Sequence, residues 1–147
     1  MASSTYPITR YAPPPIIDLT SEHERKRLST SALKAFFNII QCWKIRDEDA
    51  RLLLGGVTNG PYYEMKKNPG GRLLDTDRLQ RVSYLVGIFK ALNILHGQEL
   101  ADEWVCLPNA NRIFSGSTPL DYMIKGGVPA MQTVRRLLDA RRGGCEA

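Results

Sequence analysis

Residues 58–67 hold the first group of side chains that could do chemistry. An asparagine side chain can pair with the edge of adenine, while tyrosine hydroxyls and lysine ammonium groups bond phosphate oxygens. The candidate contacts to a nucleic acid are Thr58, Asn59, Tyr62, Lys66 and Lys67. We expect them on a short helix, Asn59 to Lys67, with Thr58 as its N-cap and Pro61 in its first turn, where a missing N–H costs little.

A second short helix is predicted just before this one. It runs from Glu48 to about Leu54, with Asp47 as its cap, and Gly55-Gly56 ends it. Two short helices around a glycine-containing turn are typical of helix-turn-helix DNA-binding domains. Because Gly60-Pro61 stands where side chains often read bases, the sequence favours phosphate contact over base reading. A helical lobe that only dimerises is the alternative interpretation.

The second group of candidates lies in residues 98–144 and is typical of a protein-binding surface. Ile113 and Phe114 fall in a predicted loop, where large apolar side chains either fill the core or contact a partner. Basic residues gather near the end of the last predicted helix, where the helix dipole favours cations, and two glycines follow. These candidates are Arg135, Arg136, Arg141, Arg142, Gly143 and Gly144.

Catalytic or metal-binding chemistry is not predicted. The two histidines, His23 and His96, lie in unrelated settings, and no GxSxG, HExxH, Walker or GxGxxG motif is present. Three widely spaced cysteines suggest neither a disulfide framework nor a metal site. We expect Cys42 and Cys106 in the core and Cys145 as an exposed thiol. The sequence therefore predicts a protein that is not an enzyme, with no cofactor and no metal.

The elements that must position these candidates are all helices, because no stretch alternates like a strand. The first helix has one apolar face at helical spacing, formed by Leu33, Phe36, Phe37, Ile40 and Trp43.

A long helix from Thr76 to about Leu95 carries two apolar rows, so it must be covered on two sides. We interpret it as a spine that joins two lobes, with one row available for a homodimer. The first row is Leu79, Val82, Val86 and Phe89, and the second is Leu85, Ile88, Leu92 and Leu95.

The C-terminal part is predicted to hold three helical segments. A helix from Gln98 buries Leu100, Trp104 and Leu107 and stops at Pro108. Thr118-Pro119-Leu120-Asp121 begins the next one as a capping box, and Gly126-Gly127 ends it. The last helix, from about Pro129 to Arg142, buries an apolar stripe. That stripe consists of Met131, Val134 and Leu138, with Leu137 beside it.

Composition and charge support a two-part organisation. Of the 147 residues, 43% are hydrophobic and 24% are charged, which is enough apolar material for a real core. Residues 1–97 carry 14 lysines and arginines against 9 acidic residues, whereas residues 98–147 carry six of each. The net charge of +5 thus belongs to the first part, which fits a phosphate-facing lobe, although a merely basic surface would look the same. With no apolar signal region and no membrane-length run, a cytoplasmic location is expected.

The C-terminal residues also carry a family resemblance. In order they are Trp104, Leu107-Pro108-Asn109, Phe114-Ser115-Gly116, Thr118-Pro119-Leu120-Asp121 and Val134-Arg135-Arg136-Leu137-Leu138. This ordered set resembles the toxin-binding domain of the MbcA/ParS/Xre antitoxin family. With LLGGVTNGPYYEMKK, which resembles an Xre-like helix-turn-helix, the likeness is nearly full length and closest to the Xre branch. The chain departs at Ser115-Gly116, where the family usually has two glycines.

The prolines of residues 1–20 predict a flexible or polyproline-like arm, and residues 21–27 lead into or begin the first helix. With the resemblance, this gives three regions: a flexible, proline-rich arm (1–27), a DNA-binding and dimerisation domain (28–97) and a toxin-binding domain (98–147). The expected function is an antitoxin that neutralises a RES-type, NAD-degrading toxin and represses its own operon as a homodimer on promoter DNA. The alternative is a stand-alone dimeric helix-turn-helix repressor with a C-terminal sensing or dimerisation domain.

The resemblance also suggests how neutralisation would work. An NAD-degrading enzyme needs a pocket for two phosphates, and Gly143-Gly144 forms a slim tail beside four arginines. We expect this tail to lie across the toxin's NAD cleft, where guanidinium groups meet carboxylates or carbonyls at the pocket mouth. Ile113 and Phe114 would anchor the lobe beside the cleft.

Overall fold

The computed structural model describes residue 18 and residues 20–143. Over these residues the chain folds into six helices and no strand, so the predicted all-α class is confirmed. None of the helices in this part of the chain is both long and apolar enough to cross a membrane. The helices are α1 (Glu22–Trp43), α2 (Asp47–Leu53), α3 (Asn59–Lys67), α4 (Thr76–His96), α5 (Gln98–Trp104) and α6 (Pro119–Arg142).

Helix α4 is the centre of the molecule, as its two apolar rows predict. It packs against α1, α5 and α6, and its own glycine, Gly87, is buried at the contact with α6. A helix that is apolar around most of its circumference is stable only when neighbours cover it on several sides. Its fully or nearly buried side chains are Leu79, Val82, Leu85, Ile88, Ala91 and Leu92.

Helix α1 covers α4 with the predicted apolar face. Leu33, Phe36, Ile40 and Trp43 are buried, and Phe37 is partly buried against them. The helix begins at Glu22, with Ser21 as its N-cap, so it starts inside the segment that the sequence assigns to the flexible arm. Residues 1–17, which make up most of that predicted arm, lie outside the described residues.

Helices α2 and α3 occupy the positions that the sequence predicts, with the bounds of α3 matching it to the residue. Gly55 and Gly56 end α2 with φ of 101° and 84°, values that glycine adopts at no steric cost. The role of Asp47 as a cap is wrong: it is the first residue of α2, and Arg46 holds the cap position without a side-chain hydrogen bond. The carboxylate of Asp47 turns towards α3 instead.

Helix α5 is rotated relative to the prediction. Ala101 and Val105 are buried, whereas Leu100 is 63% exposed and Leu107 is 52% exposed, so the expected burial of both leucines is wrong. Each residue of a helix turns by about 100°, so the inward face has moved by one position along the chain. The small Ala101 lets α5 lie close to α4, and Trp104 is left half-buried at the edge of the core.

Helix α6 begins with Thr118 as its N-cap, as predicted, and bends at Gly127, where the sequence predicts a break. The Thr118 hydroxyl accepts a hydrogen bond from the Asp121 amide at 3.0 Å, and Pro119 occupies the first turn. At Gly127, φ is 65° and ψ is −148°, which interrupts the helix. Below the bend, Met131, Val134 and Leu138 are buried as expected, and they join the core around α4.

Ser29 is the fully buried polar side chain of the described core. Its hydroxyl donates to the Arg25 carbonyl and accepts a hydrogen bond from the Leu74 amide at 2.8 Å. This bond connects α1 to the segment that leads into α4. Because an unpaired buried amide loses its hydration without compensation, Ser29 sets the position of that segment.

We predict that Ser29→Ala lowers the free energy of unfolding by about 1–3 kcal/mol, because the Leu74 amide then has no acceptor. Ser31→Ala, two residues further along α1 and exposed, is the matched control and should change stability little. Thermal and urea unfolding measure both. Equal stability of the two variants would contradict a structural role for the Ser29 hydroxyl.

Candidate functional site

The predicted DNA-contacting helix, α3, is joined to α2 through one carboxylate. Asp47 accepts hydrogen bonds from the Tyr62 hydroxyl at 2.7 Å, the Tyr63 hydroxyl at 3.2 Å and the Lys66 ammonium at 2.9 Å. The Lys66 and Tyr62 hydrogen bonds, in that order, hold the pKa of Asp47 below its usual range. Burial, followed by the hydrogen bond to Asp47, raises the pKa of Tyr62. We call these four residues the Asp47 cluster.

The Asp47 cluster corrects part of the predicted DNA-contacting set. Tyr62 is fully buried and packs edge-on against Phe37 at 5.5 Å, so its ring belongs to the core and not to a DNA-facing surface. Lys66 remains half-exposed but is paired with Asp47 and lies 5.9 Å from the Tyr63 ring centroid. A phosphate would have to compete with that carboxylate for the ammonium group.

Three of the predicted residues keep an open surface at α3. Thr58 holds the N-cap position with no side-chain cap hydrogen bond, and Asn59 and Lys67 are exposed. Thr58 and Asn59 lie at the N-terminal end of α3, and Lys67 at its C-terminal end. Any contact with DNA through this helix therefore depends first on its two ends.

The loop between α5 and α6 is closed by its own hydrogen bonds. The Asn109 and Ser117 backbones are joined at 3.0 Å, and the Asn109 side chain accepts from the Asn111 amide at 2.8 Å. Ser115 has φ of 52°, a left-handed conformation that costs a non-glycine residue about 1–2 kcal/mol. Ser115 replaces the first of the two glycines that proteins with the resemblance noted above usually have here, and a glycine would adopt this φ without that cost.

Phe114 resolves one of the alternatives that the sequence leaves open. Its ring is 2% exposed and meets Trp104 and Tyr122 edge-on, with centroids 5.9 and 5.3 Å away. Phe114 therefore fills the core, and its expected contact with a partner is corrected. Ile113, the neighbouring residue, is exposed and stays available as an anchor.

The four arginines of α6 are not equivalent. The Arg135 guanidinium occupies the space that a side chain at Gly87 would need and pairs with Asp139 at 2.9 Å. Arg135 is thus engaged in the contact between α4 and α6, which the sequence did not reveal. Arg136 is exposed, and Arg142 lies 3.8 Å from Asp139.

The end of α6 leaves its last arginines at the surface. Arg141 is partly exposed and makes no ion pair within 4.0 Å among the described residues. Gly143 has φ of −73°, so it continues the helical path and does not use glycine's special freedom. Gly144 lies outside the described residues.

The cysteines are only partly where the sequence places them. Cys42 is half-buried, whereas Cys106 is exposed, so the prediction of a core Cys106 is wrong. Although Cys106 is exposed as a residue, its sulfur lies 3.7 Å from the Trp43 carbonyl oxygen and is partly buried. Burial raises the pKa of both thiols, and the charges of Asp102 at Cys42 and of Asp49 at Cys106 add to the effect. A raised pKa keeps a thiol protonated and poorly nucleophilic. Cys145 lies outside the described residues, and within them no group of histidine, cysteine and acidic side chains is placed to hold a metal ion.

Comparison with known proteins concerns chiefly the segment that contains α6. Residues 90–144 match the model of the antitoxin Xre/MbcA/ParS C-terminal toxin-binding domain. The chain belongs to the Xre/MbcA/ParS antitoxin family. The matched segment starts within α4 and includes α5, the loop and α6, so these elements form the toxin-binding domain and imply a toxin as partner.

The likeness to a relative reaches further along the chain. An uncharacterized protein of Sinorhizobium fredii, y4oB, is 39% identical over 113 residues, which cover 76% of this chain and 84% of the relative. This coverage exceeds the toxin-binding domain, so part of the N-terminal lobe is shared as well. No solved structure matches this antitoxin-family chain significantly.

The sequence does not identify several residues that shape these surfaces. Arg81 pairs with Asp77 at 2.9 Å and donates to the Leu53 carbonyl at 3.5 Å, so it connects α4 to the end of α2. Gly87 makes room for Arg135. The one available signal was Gly87 itself, because a glycine inside a helix usually has a packing reason.

We predict that Asp47→Ala lowers stability at neutral pH by about 1–3 kcal/mol, because it leaves the buried Tyr62 hydroxyl without its acceptor. In a double-mutant cycle, Tyr62→Phe should remove most of that cost. The folded pKa of Asp47 is depressed, so the stabilisation is present above the unfolded pKa of about 3.9 and is lost as pH falls through the folded pKa.

Urea unfolding between neutral and acidic pH measures this difference. The gap in stability between the wild type and Asp47→Ala should narrow in acid. A gap that stays constant across that range would show that the charge of Asp47 is unimportant.

Proposed function

We propose that this protein is the antitoxin of a type II toxin–antitoxin pair and neutralises a RES-type, NAD-degrading toxin. The observation that carries the proposal is the match of residues 90–144 to the family's toxin-binding domain. Because the matched domain is defined by its binding of a toxin, a toxin is the expected partner. The RES class of the toxin is inferred from the nearly full-length likeness to the Xre branch, which also favours an antitoxin over a stand-alone repressor.

The exposed end of α6 supports inhibition by covering the toxin's active site. Arg136, Arg141 and Arg142 remain exposed or half-exposed, whereas Arg135 is held by Gly87 and Asp139. A guanidinium group binds carboxylates and carbonyls in a fixed geometry. We infer that these three arginines, with Gly143 and Gly144, lie at the mouth of the NAD cleft, and that Ile113 contacts the toxin beside it.

We further propose that the protein binds its own promoter as a homodimer and represses the operon. The basic excess is confined to residues 1–97, and α2 and α3 flank a glycine turn as in a helix-turn-helix. Thr58, Asn59 and Lys67 are the contacts that the exposed ends of α3 support, with Lys66 contributing if it leaves Asp47. A dimer would present two such lobes to two half-sites.

A homodimer would also need an apolar face, and α1 and α4 provide a candidate. They border a groove of about 530 Å³ lined by Leu28, Ala32, Leu79 and Val86. Val86 belongs to one of the two apolar rows of α4, either of which the sequence allows for a homodimer, and it is partly buried. A second copy covering this groove would remove that apolar surface from water.

We predict that truncation after Leu138 separates binding from inhibition. The shortened protein should still bind the purified toxin encoded by the neighbouring gene, because the core below the bend ends at Leu138. It should no longer stop NAD loss, because Arg141, Arg142 and the glycines are gone. NAD consumption and calorimetric binding are measured side by side.

The control is full-length protein with Arg112→Ser, an exposed arginine of the same domain outside α6. It should inhibit like the wild type. Full inhibition by the truncated protein would place the inhibitory contact elsewhere on the domain. Absence of any toxin binding by the wild type would overturn the toxin–antitoxin assignment.

Binding to the operon's promoter should depend on salt and on the ends of α3. We predict that Lys67→Ala weakens binding on all sequences alike and lowers the slope of log affinity against log salt by about 1. Asn59→Ala should instead relax sequence preference. Lys90→Ala, an exposed lysine in the toxin-binding domain, is the control for charge. No mobility shift of the promoter at low salt would contradict the DNA-binding role.

A further inference from the structure

A groove between the end of α1 and α5 lies apart from the arginine-rich end of α6. Its volume is about 720 Å³, and it is lined on one side by Cys42, Trp43 and Lys44 and on the other by α5 and the residues after it. The α5 side belongs to the segment that matches the toxin-binding domain. The sequence does not predict this groove, because its two walls, residues 42–44 and 99–107, are far apart in the chain.

The outer wall of this groove presents two large apolar side chains to water. Leu100 of α5 and Leu107, which follows the helix, both line it and are more than half exposed, whereas Ala101 on the other face of α5 is buried. Burying an exposed leucine side chain against a partner removes apolar surface from water and stabilises the complex. Two such residues flanking one groove provide the apolar centre that a protein interface needs.

Two unpaired polar atoms belong to residues that line the groove. The indole Nε1 of Trp43 and the Oδ1 oxygen of Asp102 have no hydrogen-bond partner among the described residues. Both atoms are covered by the protein itself, so the surface that the groove offers to a partner consists of its exposed leucines and carboxylates.

The electrostatics of the groove favour a basic partner. Glu99, Asp102 and Glu103 supply three carboxylates, against the single ammonium group of Lys44. None of the three carboxylates forms an ion pair within 4.0 Å in the described part of the chain. The thiols of Cys42 and Cys106 stay neutral because their pKa values are raised. The lining is therefore apolar and acidic.

We propose that this groove is a second docking surface for the toxin, distinct from the end of α6. The toxin segment that fits has apolar side chains that pack between Leu100 and Leu107. It also has an arginine or lysine that meets the exposed carboxylates of Glu99 and Glu103. This inference rests on the proposed toxin binding but not on the toxin's catalytic class. In this proposal the groove binds the toxin, and the residues at the end of α6 block the toxin's active site.

Charge reversal and charge removal within the groove test the proposal in opposite directions. The probe is the purified toxin encoded by the neighbouring gene, and the dissociation constant is measured by calorimetry. Glu103→Lys should weaken binding. Lys44→Asn should strengthen it, because it removes the one cation, and asparagine tolerates the left-handed conformation of residue 44, where φ is 55°. A simple loss of folding would weaken binding in both variants.

The apolar part is tested with Leu100→Ser and Leu107→Ser combined. We expect binding to weaken by at least about tenfold, as for residues at the centre of an interface. Leu52→Ser is the matched control, because Leu52 is a similarly exposed leucine of α2 outside the groove. Circular dichroism and thermal melting confirm that each variant is folded. If the double variant does not fold, the opposite effects expected for Glu103→Lys and Lys44→Asn on toxin affinity decide whether the groove is a docking surface.

The outcomes separate this inference from the proposed function. If the wild type binds the toxin and all groove variants bind equally well, the groove is not a docking surface, while the antitoxin function stands. If the wild type does not bind the toxin, the proposed function fails first. If the variants change the oligomeric state of the free protein by light scattering and leave toxin affinity unchanged, a second copy occupies the groove and the inference is overturned.

Discussion

The fold depends on the burial of α4, whose apolar residues face nearly every direction. Because no single neighbour can cover such a helix, α1, α5 and α6 must each pack on a different side of it. Gly87 lets α6 approach closely enough for Arg135 to lie over the α4 backbone. The positions of both candidate surfaces follow, since α2 packs on α6 and α3 packs on α1, and α1 and α6 are both packed on α4.

Local rules explain which features of the fold were predictable. The ends of α3, the glycine turn before it, the Thr118 capping box and the bend at Gly127 depend on residues that are neighbours in the chain. The apolar faces of α1 and α4 repeat often enough that their periodicity identifies the inward side. The all-α class and the central place of α4 follow from the same repetition.

The failed predictions share a dependence on residues far away in the chain. The seven-residue helix α5 is too short for periodicity to distinguish Leu100 from Ala101 as the inward residue. The sequence predicts Tyr62 at the surface because it does not show that Phe37 of α1 packs on the Tyr62 ring and that Asp47 of α2 accepts a hydrogen bond from its hydroxyl. The sequence does not distinguish Arg135 from its exposed neighbour Arg136, because the space for the Arg135 guanidinium is provided by Gly87 on another helix. Side-chain destinations on short helices are thus set by packing partners that the sequence does not identify.

The placement of α4 also bears on how the two lobes work together. The toxin-binding domain begins at residue 90, within a helix whose earlier turns are covered by α1. Arg81 ties that helix to the end of α2 and lies near the Gly127 bend of α6. A partner held by α6 and a partner held by α3 would therefore act on one shared helix and not on two lobes joined by a flexible linker. A second arrangement of the Arg81 contacts is the kind of rearrangement that coupling between two such partners would require.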